Sequence, residues 1–98
     1  KQYFNLTKSG SNLSASYSLY QEYDGTYIQV TSSIVFYRLT TYSYNRYLEY
    51  INSGMTAEAA LEHVSKTEVS SSGGTSGYYY IAAIWGTTGY YKVSNVVS

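Results

Sequence analysis

The chain lacks cysteine and proline entirely, and it has few charged residues. The absence of cysteine excludes disulfides and thiolate metal sites, so its stability must come from packing and hydrogen bonding. Lys and Arg together number 6, Asp and Glu together number 6, and the formal net charge is zero. Because no basic patch is available to neutralise phosphates, we expect no nucleic-acid partner.

Long hydrophobic runs are also missing. No apolar segment approaches the roughly 20 residues that a membrane-spanning helix needs, so we expect no transmembrane segment. The chain begins at Lys1, with neither Met nor an apolar leader. We interpret it as the mature chain of a secreted or cell-surface protein whose signal peptide has been removed, or alternatively as an excised domain.

Tyrosine, in contrast, is abundant. The 98 residues include 15 Tyr but only 2 Phe and 1 Trp, and the hydrophobic fraction is 44%. Tyrosine favours strands and combines an apolar ring with a polar tip. The composition and length predict a β-rich single domain over residues 1–98 whose surface is suited to contacts with other molecules.

The strongest structural signal is a β-hairpin over residues 12–39, after a lead-in over residues 1–11. Apolar residues and serines alternate over residues 13–19, which is typical of a half-buried strand. Asp24-Gly25 is the preferred pair for a two-residue type I′ turn. Folding the chain at this turn predicts three apolar pairs on one face: Leu19 with Val30, Ala15 with Ile34, and Leu13 with Phe36.

The apolar period changes to that of helices over residues 43–66. Ser43 is the expected N-cap of a first helix that ends at Gly54. Thr56 is the expected N-cap of a second helix, with Glu58 in its first turn. Residues 70–77 contain only Ser, Gly and Thr, which predicts a flexible loop.

A second hairpin is predicted over residues 78–98, with residues 86–89 as its turn. A two-residue loop predicts five pairs. Three lie on one face, Ile84 with Tyr91, Ala82 with Val93, and Tyr78 with Val97, and two lie on the other, Trp85 with Tyr90 and Tyr79 with Val96. The predicted fold is α+β, an antiparallel sheet of two β-hairpins with a two-helix insertion between them (ββ-αα-ββ). The alternative is a small β-sandwich in which the helices plug one end.

No pattern indicates catalysis or a cofactor. His63 is the only histidine, and no Gly-x-Ser-x-Gly motif accompanies it. Glu58 and Glu62 lie one helical turn apart, which is more typical of a solvated face than of a metal site. We therefore predict a protein that is not an enzyme and has no catalytic residues, metal or cofactor. Asn5 and Asn12 match the N-glycosylation acceptor pattern, and the sequence does not decide whether either is modified.

The tyrosine-rich hairpins supply the candidate binding residues. If the helices cover one face of the sheet, aromatic rings are expected to form a broad surface on the other face. The predicted binding residues are Tyr20, Tyr27, Tyr37, Tyr79, Trp85 and Tyr90. The alternative is that this face is buried inside a sandwich.

Two long segments carry no charge, residues 25–37 and residues 69–91. Edge strands are normally protected by charge, proline or irregularity. The strand over residues 78–85 is therefore expected either to lie centrally in its sheet or to have an edge that another chain pairs.

These features predict a secreted or cell-surface structural protein that acts by β-mediated self-association or by an envelope interaction, as a homo-oligomer or filament. The first alternative is a small binding module for a carbohydrate or peptide, in which a facing Trp85–Tyr90 pair stacks on the ligand. The second alternative is a secreted inhibitor or antimicrobial toxin.

Overall fold

The computed structural model describes all 98 residues and contains eight strands and two helices. The strands are β1 (Tyr3–Ser9), β2 (Asn12–Ser18), β3 (Tyr20–Tyr23), β4 (Thr26–Gln29), β5 (Ile34–Leu39), β6 (Thr67–Val69), β7 (Tyr79–Trp85) and β8 (Tyr91–Val97). The helices α1 (Thr41–Asn52) and α2 (Ala57–Glu62) lie between β5 and β6. The chain is therefore a small α+β domain with antiparallel sheets and two helices, as predicted. Its strands form three sheets rather than one, in the orders β1-β2, β3-β4 and β6-β5-β7-β8.

The N-terminal residues form a hairpin that the sequence interpretation missed. β1 pairs with β2 around Gly10, whose φ of +60° suits glycine. Ala15 consequently faces Leu6 and not Ile34, and Leu13 faces Lys8 and not Phe36. The two predicted pairs were wrong because the turn next to β2 closes a much shorter loop than pairing across residues 13–36 would.

The Asp24-Gly25 turn forms as predicted and joins β3 to β4. Both residues have positive φ, 54° and 77°, as a type I′ turn requires. Just beyond the strands, the backbone N–H of Val30 donates to the carbonyl of Leu19 at 2.9 Å, which confirms that predicted pair. The hairpin predicted over residues 12–39 is thus correct only near its tip, because β2 pairs with β1 and β5 joins another sheet.

The four-stranded sheet has β7 near its centre, between β5 and β8. All five residues from 80 to 84 are buried. Of the two alternatives for the uncharged strand at residues 78–85, the central position is correct. A strand covered on both faces needs no polar alternation, which explains its continuous apolar sequence.

The β7–β8 register differs from the predicted one by at least one residue. Trp85 pairs with Tyr91 and not with Tyr90, and Ile84 pairs with Lys92. At the turn, the N–H of Gly86 donates to the Tyr90 carbonyl at 2.9 Å and the N–H of Tyr90 donates to the Thr87 carbonyl at 3.1 Å. Because two residues oppose Tyr90, this bulge shifts every pair that follows. A second irregularity at residues 81–83 shifts the register again.

The helices begin at threonine caps. Thr56 accepts from the N–H of Ala59, which confirms the predicted cap of α2. The cap of α1 is Thr40, whose hydroxyl accepts from the N–H of Ser43 at 3.1 Å, so the prediction of Ser43 itself was wrong. Ser43 lies inside the first turn and is buried. Thr40 has the extended backbone that a capping residue needs.

Both faces of the four-stranded sheet are covered. The helices cover one face, where Leu39 and Ile81 of the sheet pack against Tyr47 and Leu61. The first two hairpins cover the opposite face, where the buried cluster comprises Leu6, Leu13, Tyr80 and Ala82, and a smaller cluster comprises Leu19, Val30 and Ile84. The expectation of an open aromatic face on this sheet was therefore wrong, because that face is also apolar and must be buried.

Hydrogen bonds outside the ladders tie the β1–β2 hairpin to the rest of the molecule. The Asn95 side chain bonds to both backbone groups of Leu6. On the other edge of the hairpin, the N–H of Leu13 donates to the Ser71 carbonyl at 2.7 Å and the N–H of Gly74 donates to the Ser11 carbonyl at 2.9 Å. The Ser/Gly-rich segment 70–77, which was expected to be a flexible loop, thus takes part in closing the fold.

Candidate functional site

The six predicted binding residues do not form one surface. Tyr20 and Tyr27 lie on the β3–β4 hairpin and are 42% and 72% exposed. They are cross-strand neighbours of Gln29 and Glu22 respectively, so both rings lie on the same face of that hairpin. Of the six predicted residues, only these two lie together on one exposed face.

Tyr37 and Tyr79 lie on the helix-covered face of the large sheet. The Tyr79 ring stacks on Tyr44 of α1, with 4.0 Å between ring centroids. Lys66 lies 5.6 Å above the ring of Tyr37. Burial raises the pKa of Tyr37, and the nearby Glu68 carboxylate raises it further. These two rings serve the packing of the helices and not an external contact.

Trp85 and Tyr90 have separate environments at the end of the large sheet. Trp85 is 38% exposed and stacks on Tyr91, with centroids 4.9 Å apart and an interplanar angle of 18°. Tyr90 packs against the cluster around Leu19, and its buried hydroxyl has no hydrogen-bond partner. Burial raises the pKa of Tyr91 to about 12, and Tyr37 and the carboxylates of α2 add to this effect. The predicted Trp85–Tyr90 pair is therefore replaced by a Trp85–Tyr91 stack.

Three exposed residues of the accessible surface were missed from the sequence. Tyr23 and Ile28 lie on the β3–β4 hairpin, and Tyr3 lies on β1. Tyr3 pairs with Ser18, which is two residues before Tyr20, so Tyr3 shares a face with Tyr20. Tyr23 directly precedes the Asp24-Gly25 turn, and this position at a hairpin tip could have indicated its exposure.

We call residues 20–29, which comprise β3, the turn and β4, the arm. One face of the arm carries Tyr20 and Tyr27, and the other carries Tyr23 and Ile28. Gln21 lies on this second face and is buried. Its carboxamide donates to the carbonyl of Thr87 and accepts from the N–H of Thr87 at 3.0 Å. This double hydrogen bond holds the base of the arm against the β7–β8 turn.

The outer edge of β4 is open. In an antiparallel pair, the backbone groups of successive residues point alternately towards the partner strand and away from it. Because Val30 bonds to Leu19, the N–H and C=O of Ile28 point towards β3, and those of Tyr27 and Gln29 point away from it. β4 has no strand partner other than β3. No hydrogen bond from elsewhere in the chain reaches the outward groups of Tyr27 or Gln29. All four residues of β4 are exposed, and none is charged.

The edges of the large sheet are shielded in ways that β4 is not. β6 is only three residues long. Lys66 directly precedes this strand, and Glu68 lies within it. Along β8, the Glu58 carboxylate accepts from the outward N–H of Val93 at 3.1 Å. Short strands and charges are common means of protecting an edge. The edge of β4 is therefore open and unprotected, whereas residues 78–85 have a strand on each side.

The clefts of the protein offer little chemistry. One of about 230 Å³ is lined by Arg46, Tyr50 and His63, among others. Arg46 is already bonded to Glu49 at 2.6 Å and to the hydroxyl of Tyr50 at 2.8 Å. The Nδ1 of His63 is engaged with the Ala59 carbonyl at 2.8 Å. No three His, Asp or Glu side chains come together in a group that could hold a metal ion.

No protein-family model, no curated protein and no solved structure matches this chain. Neither helix has the length and apolar character that crossing a bilayer would require.

Proposed function

We propose that this is a non-enzymatic, secreted or cell-surface protein that acts by β-mediated self-association through the arm, in a structural or envelope-associated assembly. The observation that supports the proposal is the open, uncharged edge of β4, with Tyr20 and Tyr27 exposed on the adjoining face. Strand addition to residues 78–85, the alternative that the sequence allowed, is excluded because that strand already has a partner on each side.

The open edge favours a strand as its occupant. The inward N–H and C=O groups of β4 are already paired with β3. An added strand can bond to the outward N–H and C=O groups of Tyr27 and Gln29. Pairing two exposed tyrosine-bearing strands also removes apolar ring surface from water. A ligand without a repeating backbone would leave these groups to water.

A second copy of the chain fits this edge. Every copy has the same free edge, and an antiparallel pair of identical strands is self-complementary about a two-fold axis. The chain carries no net charge, and β4 carries no charge of its own, so the two paired strands place no like charges opposite each other. A Lys or Glu on this strand would place like charges close together in the dimer.

The test is sedimentation equilibrium over micromolar to millimolar protein concentration. Gln29→Lys adds a charge to the open edge and should weaken the dimer by about tenfold or more, which corresponds to about 1.4 kcal/mol. Ser16→Lys is the matched control, since Ser16 is an exposed strand residue away from the arm. A wild-type chain that stays monomeric at millimolar concentration, or two variants that behave alike, would rule out the proposal.

The alternative of a carbohydrate- or peptide-binding module has lost its supporting pair, because Trp85 stacks on Tyr91. Tryptophan fluorescence titrated with soluble polysaccharides would separate the two proposals. Self-association depends on protein concentration, whereas glycan binding depends on ligand concentration. The inhibitor or toxin alternative would be revealed by growth inhibition with the purified protein.

A further inference from the structure

We infer that two copies pair β4 to β4 in antiparallel orientation, with Ile28 on the two-fold axis and Tyr27 of each copy facing Gln29 of the other. This inference rests on the proposed function and specifies the geometry of the contact. It follows from which backbone groups are free and from where β4 begins and ends.

The phase of the ladder limits the possible registers. Only Tyr27 and Gln29 direct their backbone groups outward within β4. With Ile28 on the axis, each of these residues meets the other across the interface. Both outward residues of each copy are then used, and four backbone hydrogen bonds form.

The neighbouring symmetric registers are less favourable. A register centred on Tyr27 would require Gly25 to pair with Gln29, but Gly25 has a φ of +77° in the turn and cannot continue the strand. A register centred on Gln29 would require Thr31, which lies beyond the end of β4 where the chain leaves for β5. Only the register centred on Ile28 stays within the strand.

The side chains of this register are compatible on both faces. On one face, Ile28, which is 38% exposed in the single chain, lies directly opposite its symmetry copy. This is a non-hydrogen-bonded pair, in which Cα atoms approach to about 4.5 Å. On the other face, the two Tyr27 side chains are diagonal neighbours, and such positions lie about 7–8 Å apart, within reach of aromatic rings. No charged residue lies on either paired strand.

The lack of cysteine allows a direct test of the axis. Ile28→Cys places a single thiol in each copy, and the expected Cα separation lies in the range of about 4.4–6.8 Å that a disulfide accepts. We expect oxidation by air or oxidised glutathione to convert most of this variant into a covalent dimer on non-reducing gels. Ser16→Cys is the matched control and should give only the background level of dimer.

A second test uses the native tyrosines. Photo-oxidation by a ruthenium complex with persulfate removes one electron and one proton from each of two rings, and the rings then join by a carbon–carbon bond while persulfate is reduced to sulfate. We expect peptide mapping to place the dityrosine between two copies of Tyr27. Tyr27→Phe should lose this cross-link, and Tyr23→Phe, on the opposite face of the arm, should retain it.

The outcomes separate the register from the proposed function. A dimer in sedimentation that fails to form the Ile28→Cys disulfide, or that cross-links through other tyrosines, overturns the register and leaves self-association intact. A chain that stays monomeric in sedimentation and gives no cross-link above background overturns both.

Discussion

The carboxamide of Asn95 bonds to both backbone groups of Leu6, although the two residues are 89 positions apart. Its Oδ1 accepts from the N–H of Leu6 at 2.8 Å, and its Nδ2 donates to the Leu6 carbonyl at 3.1 Å. One side chain thus reproduces the two hydrogen bonds that a paired strand residue would make. It joins β1 to β8 where no ladder connects them.

We expect Asn95→Ala to lower the free energy of unfolding by about 1–3 kcal/mol, because both backbone groups of Leu6 would lose their partners in a partly buried site. Urea denaturation measures the change. Asn12→Ala is the matched control, since Asn12 is exposed, and it should change stability by less than about 0.5 kcal/mol. Equal effects of the two substitutions would contradict the role assigned to Asn95.

The Gln21 carboxamide likewise bonds to both backbone groups of one distant residue, Thr87, which is 66 positions away. We expect Gln21→Ala to speed amide hydrogen exchange throughout the arm, because the arm would lose the bonds that hold its base. Gly86 lies next to the carboxamide oxygen of Gln21. A Cβ at position 86 would collide with that oxygen. Gly86→Ala should therefore mimic Gln21→Ala in the exchange of the arm, and unchanged exchange in both variants would refute this role.

Tyr80 anchors the Ser/Gly-rich segment from inside the protein. Its ring is fully buried in β7, and its hydroxyl accepts from the N–H of Thr75 at 2.7 Å. We expect Tyr80→Phe to cost about 1–2 kcal/mol of stability and to raise amide exchange in residues 71–77, because the Thr75 N–H loses its acceptor. Tyr42→Phe removes a hydroxyl from an exposed ring and should leave both quantities unchanged.

Tyr91 should make the protein sensitive to alkali. Its pKa in the folded chain is raised to about 12, chiefly by burial, whereas an unfolded tyrosine has a pKa of about 10. Below pH 10 both states keep the proton and the residue contributes no pH dependence. From pH 10 towards 12 the unfolded chain releases the proton and the folded chain retains it, so the free energy of unfolding falls as pH rises.

Urea denaturation from pH 8 to 11.5 measures this fall. Tyr91→Phe should show a smaller decrease than the wild-type chain, because phenylalanine has no proton to lose. Tyr42→Phe is the control for removing an exposed tyrosine outside the proposed contact. If Tyr91→Phe and wild type lost stability in parallel, burial of Tyr91 would not be the cause.

Local features of the fold were predictable because their cause lies within a few residues. The Asp24-Gly25 turn needs two adjacent residues that tolerate positive φ, and the chain has them at that position. Thr56 caps α2 because its hydroxyl reaches an N–H three residues away. The boundaries of α1 were less certain, since Thr40 and Ser43 are both capable caps.

Strand pairing was less predictable, because an apolar alternation fits any strand of the same period. Residues 13–18 match β5 in pattern, yet they pair with β1, which the nearer turn at Gly10 brings alongside. In the last hairpin, the bulge at Gly86 and Thr87 shifted a register that had been counted from a two-residue loop. One extra residue in a turn moves each later side chain to the other face.

The candidate site was predictable in part. Tyr20 and Tyr27 were identified from alternation around a turn, and both are exposed. Tyr37 and Tyr79 were assigned to the same surface but face the helices, because β5 joined a different sheet from β4. The open edge of β4 could not be found from pattern, since whether a strand lies at an edge depends on which strands fold beside it.

The sequence by itself determined the α+β class, the turn at Asp24-Gly25, the cap at Thr56 and the absence of disulfides, because each depends on composition or on neighbours a few residues apart. Only the tertiary structure decided which strands pair, which tyrosines are exposed and where a free edge remains. Those outcomes depend on contacts such as Asn95 with Leu6 and Gln21 with Thr87. Several alternative pairings have a similar apolar pattern, and only contacts between such distant residues decide among them.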